Sequence, residues 1–75
     1  PKEAQEKGIE GRVVVAFVVN RDGSISDVEV ARSVDPSLDN EALRVINSMP
    51  RWIPGQVGGK NVRVRYTLPL PFRLQ

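Results

Sequence analysis

No histidine and no cysteine occur among the 75 residues of this chain, which removes the commonest general base, the commonest metal ligand and the strongest nucleophile at once. Its nine Asp and Glu residues fall mainly in turns, helix ends and exposed strand positions, where capping and solvation account for them. Catalysis is therefore not expected, and neither a metal nor a cofactor is implied. The loop Gly55-Gln56-Val57-Gly58-Gly59-Lys60-Asn61 has a passing likeness to a phosphate-binding loop. It lacks the first glycine at the required spacing, has asparagine where a hydroxyl should meet magnesium, and leads into a strand instead of a helix. The G-x-x-G strings at Gly8–Gly11 and in this same loop do not lie between helices, and Glu10 would repel phosphate.

The chemistry that remains is that of the main chain. From Asn61 to Leu74 the even positions Val62, Val64, Tyr66, Leu68, Leu70, Phe72 and Leu74 are all apolar, while Asn61, Arg63, Arg65, Thr67, Pro69, Pro71 and Arg73 alternate with them. This spacing predicts a strand with one buried face. A strand residue directs its N–H and C=O to one flank, and the flank alternates, so Pro69 and Pro71 lack a donor on a single side. If the even residues bond inward, Asn61, Arg63, Arg65 and Thr67 offer free N–H and C=O groups outward. Further on, the prolines close the same flank. Such an edge is a liability, an oligomerisation surface or a docking site for an extended peptide.

One domain, residues 1–75, must position that strand. A chain this short buries about 60% of its unfolded surface, so stability should be modest. Apolar content of 40% and charged content of 27% suit a folded globular chain. The net charge is only +2 despite a pI near 9.5, and it does not demand nucleic-acid binding. Without cysteine there is no disulfide framework. No run approaches a membrane span, and the abrupt opening at Pro1 suggests a fragment of a longer protein.

Residues 1–7 read as a short helix beginning at Pro1 and ended by Gly8. The stretch 11–20 is apolar on both faces, as in a central strand. Asn20-Arg21-Asp22-Gly23 reads as a tight turn into an antiparallel strand, in which Ile25 is out of phase with Val28 and Val30 and predicts a bulge near Ser26. Either Asp35 or Ser37 caps a helix whose stripe is Leu38, Ala42, Val45, Ile46 and Met49, stopped by Pro50. Trp52 follows as a core or lid residue. The resulting order, helix-strand-strand-helix-strand, is an α+β fold: an antiparallel three-stranded sheet in order 2-1-3 with two helices packed on one face. Arg12, Arg63, Arg65 and Arg73 should share the opposite face. That face lacks the exposed aromatics of an RNA platform, because Phe17, Tyr66 and Phe72 fall on core-facing positions, so no nucleic-acid partner is expected.

The runs IEGRVVVAFVVNRDGSISDVEV (9–30), DPSLDNEALRVINSM (35–49), RWIPG (51–55) and VRVRYTLPLPF (62–72) resemble, in order and over nearly the whole chain, the C-terminal domain of the TonB energy transducers. The resemblance implies a non-enzymatic domain on the periplasmic side of the Gram-negative inner membrane, anchored by an upstream helix that this chain lacks. It implies two sets of partners: an outer-membrane receptor, whose TonB box adds as a strand, and proton-driven inner-membrane motor proteins reached through the missing N-terminal part. Carried onto this sequence, the binding strand comprises Asn61, Val62, Arg63, Val64, Arg65, Tyr66, Thr67 and Leu68. Two other readings stand beside it: a TonB-like sensor module of another membrane protein, and a domain that homodimerises through its edge strand.

Overall fold

A computed structural model describes residues 2–74, so the expected helix start at Pro1 lies outside the described residues. The elements are α1 (Lys2–Lys7), β1 (Gly11–Val19), β2 (Ile25–Arg32), α2 (Pro36–Asn47), β3 (Gly55–Val57), β4 (Lys60–Val62) and β5 (Val64–Phe72). β1 pairs antiparallel with both β2 and β5, giving the sheet order β2-β1-β5. This is the expected 2-1-3 arrangement. A second, two-stranded sheet joins β3 to β4. No described helix is long and apolar enough to cross a membrane.

The core lies between the sheet and the helices. Val13, Val15, Phe17 and Val19, the odd residues of β1, are fully buried against Leu38, Ala42 and Ile46 of α2 and Ala4 of α1. Burying a side chain of the size of Val or Phe contributes about 1.5–3 kcal/mol, so this apolar run in the middle of the sheet is a large part of what stabilises so small a domain. Leu68, Leu70 and Phe72 of β5 pack half-buried against the same cluster.

The phase break in β2 has a definite cause. Ala16 faces Glu29 and Val18 faces Ser26, which leaves both Asp27 and Val28 opposite Phe17. Asp27 is the extra residue, with φ +53, a left-handed conformation that aspartate tolerates better than most side chains. Because of this bulge, Ile25 and Val28 both reach the core despite their odd spacing.

Asp35, not Ser37, caps α2: its carboxylate accepts from the Ser37 amide (3.0 Å) and hydroxyl (2.7 Å), with Pro36 in the first turn. Those bonds hold the Asp35 carboxyl below the usual carboxylate range. At its other end the helix stops at Asn47, before Pro50 acts, and the Ser48 amide closes onto the Arg44 carbonyl at 3.0 Å.

The β1–β2 turn anchors the crossover. The Trp52 amide donates to the Gly23 carbonyl (2.8 Å), and a methyl group on Gly23 would lie 2.2 Å from the Trp52 carbonyl oxygen. Gly23 also has φ +85, so the turn requires glycine on two counts. The indole then packs edge-on against Phe17 (5.2 Å between centroids) and tilted against Tyr66 (5.9 Å), in the structural role expected for Trp52.

Candidate functional site

The single strand expected over 61–74 is divided. Asn61 and Val62 belong to β4, Arg63 lies between strands, and β5 runs from Val64 to Phe72, ending before Arg73 and Leu74. The cause is the loop before it. Gly58 and Gly59, with φ +57 and +79, form a two-residue turn of the left-handed kind that suits a hairpin, so the preceding Gly55–Val57 folds back as β3 onto Lys60–Val62. Two adjacent glycines between Val57 and Lys60 were the available signal, and reading 55–61 as a loop leading into one strand missed this hairpin.

β5 is the edge strand of the larger sheet, with β1 on one flank. Its ladder with β1 is regular from Gly11↔Phe72 to Val19↔Val64, and it sets Pro69 opposite Val14 and Pro71 opposite Arg12. Proline has no N–H to give, so these are positions whose peptide groups face away from β1. By alternation Val64, Tyr66, Leu68, Leu70 and Phe72 direct N–H and C=O toward β1. Arg65 and Thr67 direct theirs to the other flank, where no strand lies among the described residues.

The same alternation applied to the small hairpin locates the rest. Val57↔Lys60 closes the turn and is a hydrogen-bonded pair, which makes Gly55↔Val62 another and turns the Asn61 peptide groups away from β3. Val62 is thus committed to β3 much as Val64 is to β1. Of the eight expected site residues, Asn61, Arg65 and Thr67 present unpaired main-chain groups, Arg63 sits at the junction, and Val62, Val64, Tyr66 and Leu68 supply side chains on the apolar face. Tyr66 is 38% exposed there.

On the opposite face the arginines do not form a bare cluster. Arg65 bridges to Glu29 (2.5 Å), and Arg63 bridges to Asp27 (3.5 Å) and donates to the Asn20 side-chain oxygen (3.0 Å). Both acids stand on β2, on the far side of β1, so the arginine stems cross over the small residues of the central strand. That covering accounts for the burial of Ala16 (1% exposed) and Val18 (9%) on the face away from the helices. The acidic partners escaped sequence reasoning because alternation puts Asp27 and Glu29 outward but does not say which arginine each meets, which is set by the register of β2 and β5 on β1. Asn61 adds a tether, donating from its side-chain nitrogen to the Arg21 carbonyl at 3.0 Å.

β5 is thus an edge strand with a free half and a proline-blocked half, closing one side of the 2-1-3 sheet. The sequence matches the Gram-negative bacterial TonB protein C-terminal family over residues 1–74. The chain belongs to that family. It is 36% identical over 75 residues to Protein TonB of Pseudomonas aeruginosa, covering 100% of this chain and 22% of that protein. With Protein TonB of Helicobacter pylori (strain J99) it shares 44% identity over 55 residues, 72% of this chain and 20% of the relative. The chain thus spans about a fifth of the length of the curated relatives it matches. Among solved structures, the solution structure of H. pylori TonB-CTD superposes with a TM-score of 0.75 at 31% identity, covering 100% of this chain and 67% of that one. The solution structure of the P. aeruginosa TonB CTD gives 0.72 at 36% identity, with 100% and 76% covered.

Proposed function

We propose that this TonB C-terminal domain is a non-enzymatic, periplasmic docking module. In this reading it accepts an extended segment of an outer-membrane receptor, the TonB box, as an additional strand along Asn61–Leu68. It thereby passes inner-membrane proton-motive energy to the receptor for nutrient uptake, within a longer protein anchored in the inner membrane. One observation carries the reading: the outer flank of β5 has free peptide groups at Arg65 and Thr67 and is closed by proline at Pro69 and Pro71. A foreign strand would gain several main-chain hydrogen bonds, each worth about 0.5–1.5 kcal/mol net. Association costs at least about 4 kcal/mol, so main-chain bonds alone reach about micromolar affinity at best, and side-chain contacts must supply the rest. Pulling along the strand axis loads those bonds together, which suits a link that must bear force briefly and then release.

The test is an NMR titration with N-terminal peptides of outer-membrane receptors. Amide shifts should cluster at residues 61–67. Saturable binding that leaves those amides unmoved and shifts α2 or β2 instead would refute this reading.

A further inference from the structure

The geometry points to a selective edge: resting on the strand-addition reading, β5 favours a foreign strand carrying acidic residues on the face away from the helices, and it disfavours a second copy of this chain. In an added strand, each residue opposite Arg65 or Thr67 places its side chain on the same face as theirs, whichever direction the strand runs. The neighbours of an incoming strand on that face are therefore Arg63 and Arg65. Their bridges to Asp27 and Glu29 draw the guanidinium groups inward over β1, but these bridges are solvent-exposed, with the arginine side chains 52% and 54% accessible, and each is weak enough that either arginine can leave its acid and swing to a carboxylate on the outer flank.

The same two arginines oppose self-pairing. A two-fold antiparallel pairing of β5 with its copy centred on Arg63 or Arg65 sets that arginine opposite itself, and one centred on Val64 sets Arg63 opposite Arg65. Sliding the copy further, to a centre at Tyr66 or Thr67, sets Arg63 or Arg65 opposite Pro69, which has no N–H to donate. Like charges directly opposite on neighbouring strands are destabilising. Prolines limit the registers centred on 66 and 67 and arginines penalise those centred on 63 to 65, so β5, an otherwise hazardous free edge, is kept for a strand of complementary charge.

The test uses the unaltered chain and synthetic heptapeptides alternating valine with one variable residue, in glutamate, glutamine and lysine versions. Affinity should fall in that order, by about two- to fivefold for each arginine engaged, the range of exposed cross-strand charge pairs. The ratios should shrink toward one at about 1 M salt, where the screening length is about 3 Å. Glu29→Gln, which leaves Arg65 unshared, should widen the preference for glutamate. In sedimentation, the unaltered chain should stay monomeric at concentrations where the double variant Arg63→Thr/Arg65→Thr self-associates.

Equal affinity for the three peptides, with shifts at residues 61–67, would overturn the charge selection and leave strand addition standing. Failure of all three to bind would overturn both. A wild-type dimer paired through β5 would overturn the rejection of its own copy.

Discussion

Replacing Arg65 by proline should separate binding from folding. Its N–H faces the free flank, and Pro69 and Pro71 already occupy the same phase of β5, so the β1–β5 ladder keeps all its bonds. Folding loses the exposed Arg65–Glu29 bridge, worth at most about 1 kcal/mol, and the cover of the Arg65 stem over β1, but no main-chain bond. A docked strand loses more, because one of its carbonyls is left without a donor at about 1–3 kcal/mol. At 1.4 kcal/mol per decade, peptide affinity should fall by about five- to 150-fold. Leu68→Pro is the contrasting change, since Leu68 directs its N–H toward Val15 in the middle of the sheet. Beyond the effect of Leu68→Ala, it should cost folding about 1–3 kcal/mol more, against a total of roughly 4–11 kcal/mol for a chain of this size. Urea unfolding measures stability. The single tryptophan, Trp52, whose ring centroid lies 5.9 Å from that of Tyr66, should report peptide docking by its fluorescence. Undiminished peptide affinity in Arg65→Pro, or a loss of stability equal to that of Leu68→Pro, would refute the assignment of inward and outward residues.

Gly23→Ala should destabilise the domain by at least about 1–3 kcal/mol in urea unfolding, because it combines a positive φ with a collision against the Trp52 carbonyl. Asp35→Ala should lower the thermal midpoint at neutral pH by removing the cap of α2. The native carboxyl titrates below its unfolded value of about 3.9, so its contribution is full above that pH and is lost as pH falls through the native value. The gap between wild type and Asp35→Ala should therefore narrow on acidification; a gap unchanged down to about pH 2 would contradict the cap's role.

How far the sequence reached can be followed residue by residue. Alternation and two-sided apolarity located β1 at the centre, the Asp-Gly turn and phase break located β2 and its bulge, and the Leu38–Ile46 stripe located the helix that covers them. These features are local, set by side-chain period and turn chemistry within a few residues. Proline phase also indicated which flank of the last strand lacks donors, because imino nitrogens report on peptide orientation without reference to a partner.

What only the tertiary structure decided is what each element meets. Alternation alone said nothing of β3 folding onto Lys60–Val62, so a continuous strand became two. Nor did it show that Arg63 and Arg65 reach across β1 to Asp27 and Glu29, since those acids come from a strand distant in the chain and the register of β2 and β5 on β1 decides which arginine each one meets. Period and turn type are properties of one segment, whereas pairing partner and register come from the free energy of two segments packed together. No single stretch of this chain carries that information.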